Sequence, residues 1–256
     1  MRITVLGSGT SAGVPLVGCH CAVCCSADPR NKRRRASIYV EWNGVRILVD
    51  AGPDLRMQCI DAKIGAIDGL VFTHAHADHI HGIDDLRAIN NVIDAPIDTY
   101  ADVKVLARIR SRFEYAFLGG SRGHGYYRPE LRPHEIDGPF SIGGQEIVPF
   151  EQAHGGAVTW GFRFGKFAYS TDADDLDQKA FDTLEGVEVW LVDALRDKPH
   201  PTHAHLERTL EWIGRLQPQR AFLTHMAHDV DYHDWARRLP DHIRPAYDGL
   251  VIEIED

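Results

Sequence analysis

Three histidines and an aspartate occupy one short run of the sequence, His74-Ala75-His76-Ala77-Asp78-His79. The run follows residues 69–73, a short apolar segment that is typical of a buried β-strand. On an extended strand end, alternate side chains point the same way, so His74 and His76 can reach one metal ion. Asp78 and His79 lie beyond the turn and can reach a second ion. Because imidazole and carboxylate are ligands for Zn²⁺, Mn²⁺ or Fe²⁺, the run predicts a metal site.

Further metal-ligating side chains follow three apolar segments later in the chain. Any one of them alone would more often be structural. Taken together with the histidine run, they predict a site with two metal ions that is assembled at the ends of several strands. The three are His154 after the predicted strand 145–150, Asp172 after strand 167–170 and His225 after strand 220–224.

Four of the five cysteines lie within residues 19–25. Cys19, Cys21 and Cys24 place three thiols within six residues, and three thiolates need a fourth ligand to close a tetrahedral zinc site. His228 would supply that ligand if the amino-terminal loop packs beside the active site. Free thiols are the alternative interpretation. A redox pair is disfavoured because no strand–Cys-x-x-Cys–helix context surrounds these cysteines.

The elements that must position these residues form two runs of strands, each followed by strand–helix units. This order favours an α/β sandwich in which two mixed sheets pack face to face and helices cover the outside. A helix is predicted to begin near His79 and to continue through Ile89, and another to span residues 203–215. Residues 119–139 show no periodicity, which predicts a lid, a binding loop or a disordered insert. The candidate phosphate or sugar contacts in that loop are Arg122, His124, Tyr126, Tyr127 and Arg128.

The chain has 256 residues and a formal net charge of −9. We expect one domain over residues 1–256, and the acidic balance gives no global electrostatic case for nucleic-acid binding. No apolar stretch approaches the ~18 residues of a membrane span, and the first residues enter a strand without a secretory leader. We therefore expect a cytoplasmic protein without a membrane partner, in which cysteines bind metal or stay free.

The order of the ligands, from His-x-His-x-Asp-His to His225, resembles the metallo-β-lactamase fold over the whole chain. The resemblance implies an αββα sandwich and an active site that holds two divalent cations, Zn²⁺ or Mn²⁺. Asp50 would orient a ligand imidazole by accepting its second N–H. Carboxylates at the bridge and in the second set resemble the phosphodiesterase branch of this fold more than the lactamases. The implied ligands are His74, His76 and His154 for one cation, Asp78, His79 and His225 for the other, and Asp172 as the bridge.

A narrower resemblance rests on the cysteine run, on Val14-Pro15 and on residues 223–228, Leu-Thr-His-Met-Ala-His. These motifs are similar to those of the phosphoribosyl 1,2-cyclic phosphate phosphodiesterase family of the bacterial carbon–phosphorus lyase pathway. The resemblance implies a catalytic histidine at His203, with His205 as the neighbouring candidate, and a homodimer. It also implies a structural zinc on Cys19, Cys21, Cys24 and His228.

Such a protein would hydrolyse a small, cyclic phosphodiester to a phosphate monoester. Water would attack phosphorus, Asp78 or Asp172 would orient that water, and His203 would donate a proton to the leaving alkoxide. Three alternatives stay open: a nuclease that trims the 3′ end of transfer RNA, a thioester or lactone hydrolase, and a non-catalytic metal-binding or partner-binding protein. The seven candidate ligands argue against the last.

Overall fold

The computed structural model describes residues 1–119 and 126–255, which form two seven-stranded sheets. The first sheet contains β1 (Arg2–Gly7), β2 (Ser37–Trp42), β3 (Val45–Val49), β4 (Gly69–Val71), β5 (Ile97–Ala101), β6 (Leu131–Glu135) and, last in the chain, β14 (Val251–Glu253). The second contains β7 (Phe140–Ile142), β8 (Gln145–His154), β9 (Ala157–Phe164), β10 (Phe167–Tyr169), β11 (Val189–Asp193), β12 (Arg220–Thr224) and β13 (Ile243–Pro245).

Both sheets are mixed in the same way. The first has the order β14-β1-β2-β3-β4-β5-β6, antiparallel as far as β3 and parallel beyond it. The second has the order β13-β12-β11-β10-β9-β8-β7, antiparallel from β7 to β10 and parallel from β10 to β13. The β2–β3 hairpin turns at Asn43 and Gly44, whose φ angles of 49° and 82° are both positive, as a type I′ turn requires.

Three apolar layers hold the sandwich together. The central layer lies between the sheets and includes Ile38, Ile47, Phe162 and Leu191, all with no exposed surface. An outer layer packs the first sheet against one group of helices, and another packs the second sheet against the rest. The helices are α1 (Ala22–Cys25), α2 (Leu55–Asp61), α3 (Ala77–Ile80), α4 (Leu86–Ile93), α5 (Val103–Arg112), α6 (Gln178–Leu184), α7 (Leu206–Leu216) and α8 (Tyr232–Arg238). The predicted α/β sandwich of two mixed sheets is confirmed.

Three predicted elements differ from the structure. The helix expected from His79 through Ile89 is broken into α3, a 3₁₀ turn and α4, because Gly82 leaves the helix to bond its N–H to Ala51 O. Residues 131–135, predicted to lack regular structure, form β6 by pairing in parallel with β5. Pro133 is tolerated there because β6 is an edge strand. The helix expected at 203–215 begins at Leu206, so His203 lies in the preceding loop.

No helix in residues 1–119 or 126–255 combines the length and the apolar character that crossing a membrane requires.

Candidate active site

The predicted ligands converge at one end of the sandwich because they follow strands of both sheets. His74 comes after β4, Asp172 after β10 and His225 after β12, and each of these strands runs parallel to a neighbour. The carboxyl ends of parallel strands meet at the same edge of a sheet, which is where open α/β folds place their ligands. His154 joins them as the last residue of β8, a strand that extends further than predicted.

The structure groups these side chains into two sets that share one carboxylate. Within each set, one ligand atom per residue lies within 4.8 Å of the others. The shared residue is Asp172, whose Oδ1 lies 3.9 Å from His74 Nε2 and 3.4 Å from His225 Nε2. The sets are His74, His76, His154 and Asp172 on one side, and Asp78, His79, Asp172 and His225 on the other.

Protein oxygens engage Nδ1 of three ligand imidazoles. His79 Nδ1 donates to Asp50 Oδ2 at 2.7 Å, and His154 Nδ1 donates to Thr202 O at 2.6 Å. The Thr73 hydroxyl donates its single proton to Asp50 Oδ2, so it accepts a hydrogen bond from His74 Nδ1 at 2.9 Å. Each ring therefore carries its proton on Nδ1 and keeps the Nε2 lone pair for a metal ion.

The surroundings of these lone pairs fit a cation. His79 Nε2 lies 3.1 Å from Asp172 Oδ2 and 3.2 Å from Asp78 Oδ2, and a lone pair facing two carboxylates is repulsive unless positive charge lies between them. Within the described residues, Nε2 of His74, His79 and His225 is buried without a hydrogen-bond partner. The donor set therefore suits divalent metal ions.

The backbone of the site is strained at three residues. Asp50, Asp172 and His225 have φ angles of 65°, 55° and 59°, in the left-handed region that non-glycine residues rarely adopt. All three are buried, and such strain persists only where the surrounding structure imposes it, commonly at functional sites. Gly52 is required for a different reason, since a Cβ there would lie 2.1 Å from the Asp78 carbonyl oxygen.

His203 lies beside both ligand sets. Its ring centroid is 4.7 Å from that of His154 and 4.6 Å from that of His225, and it stacks on His225 at 17°. His203 Nδ1 donates to Asp193 Oδ2 at 3.0 Å. Burial lowers the basicity of this imidazole, but the Asp193 carboxylate outweighs it and raises the pKa of His203 to about 8.

Sequence reasoning missed Asp193. It is the last residue of β11, has no exposed surface, and also accepts the backbone N–H of Ala173. The signal that identified Asp172 and His225, a polar residue at the end of an apolar strand, was present here as well. Asp193 also forms a group with His203 and His225 whose ligand atoms lie within 4.8 Å of one another.

Other candidates lie away from this cluster or outside the described residues. His205 precedes α7 and has its Nε2 3.8 Å from Glu207. The carbonyls of Tyr126 and Tyr127 accept hydrogen bonds from Asn91 and Arg87, which tie this segment to α4. The side chain of Arg128 donates to Gly119 O. Arg122 and His124 lie outside the described residues.

The three predicted cysteines and His228 form a fourth group of ligand atoms within 4.8 Å. His228 Nδ1 lies 3.6 Å from Cys19 Sγ and 3.7 Å from Cys21 Sγ. Zinc bonds of about 2.3 Å to sulfur and about 2.0 Å to nitrogen hold the two atoms about 3.5 Å apart in a tetrahedron. The hydrogen bond with His228 lowers the pKa of Cys21 to about 6, which favours the thiolate that binds metal.

Comparison with known proteins agrees with this fold. Residues 45–226, well over half of the chain, match the β-lactamase superfamily domain. The protein therefore belongs to the metallo-β-lactamase superfamily, as the sequence predicted.

Within that superfamily, the chain is similar to a solved diphosphatase of the PhnP family, with 36% identity and a TM-score of 0.92 over 99% of this chain and 98% of that one. Zinc-bound PqqB from Methylobacterium extorquens shares the fold alone, at 17% identity and a TM-score of 0.79 over 99% of this chain and all of that one. An octanoyltransferase from Porphyromonas gingivalis is 37% identical over the whole of this chain. The chain spans about half (52%) of that relative's length.

Proposed function

We propose that this protein is a metal-dependent phosphodiesterase that opens a small, cyclic phosphodiester, such as phosphoribosyl 1,2-cyclic phosphate, to a phosphate monoester. The observation that carries the proposal is the pair of ligand sets joined by Asp172, with the Asp193–His203 pair beside them. The similarity to a protein named as a diphosphatase supports chemistry at phosphorus. The ligand chemistry suits two divalent cations, Zn²⁺ or Mn²⁺, with a structural zinc on the cysteine group.

When bound, the two cations would supply a nucleophilic water at neutral pH and positive charge against the phosphoryl oxygens. The carboxylate of Asp78 or of Asp172 orients the attacking water and accepts its proton. The Nδ1–H of His203 donates to Asp193, so its Nε2–H can point to the substrate. There it neutralises charge on the phosphate and protonates the leaving alkoxide. The imidazolium that donates this proton is stabilised by the buried Asp193 carboxylate.

The test is turnover by the full chain after reconstitution with Zn²⁺ and, separately, with Mn²⁺. The substrates are bis(p-nitrophenyl) phosphate, p-nitrophenyl phosphate, ribose 1,2-cyclic phosphate with and without a 5-phosphate, a 2′,3′-cyclic nucleotide, precursor transfer RNA and an octanoyl thioester. We expect hydrolysis of the small diesters and little turnover of the monoester. The thioester also tests whether the octanoyltransferase name of the longer relative has any bearing on this chain.

Hydrolysis of the thioester without hydrolysis of any diester would overturn the proposal, while the fold and the metal groups would stand. Cleavage of precursor transfer RNA in preference to all small diesters would indicate a nuclease instead.

A further inference from the structure

The peptide that follows Asp172 is held at both of its polar groups by side chains. Its carbonyl oxygen, Asp172 O, accepts from the Thr159 hydroxyl at 2.8 Å, and its N–H, that of Ala173, donates to Asp193 Oδ2 at 2.9 Å. Asp172 has a φ of 55°, which a non-glycine residue keeps only where its surroundings impose it. The direction of the Asp172 side chain, which both ligand sets share, therefore depends on these contacts.

The Thr159 hydroxyl is itself held by Gln152. A backbone carbonyl can only accept, so Thr159 donates its single proton to Asp172 O and accepts from Gln152 Nε2, which lies 3.2 Å from its Oγ1. The second N–H of Gln152 donates to Thr171 O at 3.0 Å. The carbonyls of the two peptides that flank the Asp172 Cα are thus both bound by the Gln152–Thr159 pair.

The Gln152–Thr159 pair is built into the second sheet. The two residues lie opposite each other in the register of β8 and β9, and both are buried. Residue 161 on β9 is a glycine, and a Cβ there would lie 2.8 Å from Gln152 Oε1 and would also meet the Phe150 ring. The sheet therefore leaves space for the Gln152 amide and fixes its position.

The folding energy of the pair does not explain its polarity. Within the described residues, Gln152 Oε1 is buried without a hydrogen-bond partner. An unpaired buried acceptor disfavours the folded state, and two apolar side chains of similar shape would avoid that cost. What the polar pair adds is its hold on two backbone carbonyls, and both lie beside Asp172.

We propose that Thr159 and Gln152 are positioning residues that hold the backbone of Asp172 so that its two carboxylate oxygens serve both ligand sets at once. Asp172 Oδ1 lies 3.9 Å from His74 Nε2 of one set, and Oδ2 lies 3.1 Å from His79 Nε2 of the other. This inference rests on the proposed function, in which the two sets hold two cations. Thr159 and Gln152 act through Asp172 and not on the substrate.

The experiment uses the full chain, freed of metal, supplied with one equivalent of Zn²⁺ for the cysteine group and then titrated with Mn²⁺. Calorimetry gives the Kd of each Mn²⁺ ion, and electron paramagnetic resonance detects magnetic coupling between two ions that share a bridge. Thr159→Val keeps the shape of the side chain and removes the hydroxyl, whereas Thr159→Ser keeps the hydroxyl. Gln152→Met lacks both N–H donors and tests the same pair independently. Thr99→Val is the matched control, since this buried hydroxyl bonds Ile97 O within β5.

We expect wild type to bind two coupled Mn²⁺ ions. Thr159→Val and Gln152→Met should each raise the Kd of the more weakly bound ion roughly 5- to 10-fold and reduce the coupled signal, because one hydrogen bond to the Asp172 backbone or its support is lost. Thr159→Ser should restore both quantities. Thr99→Val should leave both unchanged, even if it lowers the stability of the fold.

Two coupled ions with wild-type constants in Thr159→Val and Gln152→Met would show that the pair supports only the fold, and would overturn the inference. A wild type that binds a single Mn²⁺ ion, or two uncoupled ions, would also overturn it, whatever the protein hydrolyses. Two coupled ions in a wild type that hydrolyses no diester would overturn the proposed function and leave this inference in place.

Discussion

At the scale of single residues, hydrogen bonds prepare the ligand imidazoles for metal. Asp50 accepts three hydrogen bonds, from the Thr73 backbone, the Thr73 hydroxyl and His79 Nδ1. One buried carboxylate thus determines the protonated nitrogen of His79 directly and that of His74 through Thr73. Such outer contacts orient the ligand and raise its basicity. The metal groups consequently depend on residues that need not touch metal.

His203→Ala should keep the metal content and lose most of the turnover. The imidazole touches both ligand sets but is needed for neither, and a positioned proton donor contributes typically about 10²- to 10⁴-fold to the rate. Metal analysis of the reconstituted variant and kcat on the best diester measure the two effects separately. His205→Ala is the control, because that side chain lies toward Glu207. Normal turnover in His203→Ala would remove His203 from the mechanism.

Asp193→Asn should reduce kcat by roughly 10- to 100-fold, since a hydrogen bond to a charged group contributes about 1.5–3 kcal/mol. The variant keeps the size of the side chain and the contact with Ala173 N–H, but it loses the charge that stabilises the His203 imidazolium. The measurement is kcat in Asp193→Asn, His203→Ala and the double variant.

If Asp193 acts through His203, its substitution should cost less than about twofold in the His203→Ala background. A full additional loss in the double variant would mean that Asp193 acts on the metal ligand His225 or on the fold instead.

At the scale of elements, the segment after β12 connects the two kinds of metal group. His225 belongs to the second ligand set, and His228, three residues later, belongs to the cysteine group. Between them, Met226 N–H donates to Ser8 O, and Met226 O accepts from Thr10 N–H. The amino-terminal loop therefore pairs with the residue that follows an active-site ligand.

Cys21→Ala should lose one zinc ion per chain and lower the free energy of unfolding by at least about 2 kcal/mol, since structural zinc contributes directly to folding. It should also weaken metal binding at the active site, because His225 shares a segment with His228. Zinc analysis and denaturant unfolding measure both effects. The neighbouring Cys25→Ala removes an exposed thiol outside the group and serves as the control. Equal zinc contents in the two variants would count against a structural zinc.

At the scale of the whole molecule, Asp248 connects segments near the two ends of the chain. This carboxylate, in the turn before β14, accepts hydrogen bonds from the Ser8 backbone and hydroxyl and from Arg34 N–H. It thereby ties the carboxyl-terminal turn to the loop after β1 and to the segment before β2. Burial, only partly offset by these hydrogen bonds, raises the pKa of Asp248 to about 6.

The raised pKa predicts a pH dependence of stability. The folded state binds this proton more tightly than the unfolded state does. The contribution of Asp248 to the free energy of unfolding is therefore greatest below the unfolded pKa near 4, and it falls as the pH rises through 6. The difference in free energy of unfolding between wild type and Asp248→Asn should therefore shift against wild type by roughly 1–2 kcal/mol from pH 4 to 7. Denaturant unfolding at several pH values measures it.

A difference that moves in favour of wild type as pH rises would show that the three hydrogen bonds outweigh burial. Both proteins carry the same metal ligands, so protonation of the metal groups cancels in the comparison.

Much of this protein was predictable from the sequence because its chemistry is local. Three histidines and an aspartate within six residues, and three cysteines within six, indicate metal groups before any fold is known. Apolar segments at 69–73, 145–150, 167–170 and 220–224 predicted four of the strands that position the ligands. Ligands at strand ends followed from the same pattern, since polar side chains directly after apolar strands are conspicuous.

The remaining features were decided by contacts between distant segments. Gly82 ends α3 because it packs on Ala51 and Gly52, and residues 131–135 become a strand because β5 offers them an edge. Asp193 meets His203, and Thr159 meets Asp172, only once the chain has folded. The conformational preferences of a short segment do not depend on such distant partners. The sequence by itself determined the types of metal ligand and the fold class. The tertiary structure decided which other side chains contact and orient those ligands.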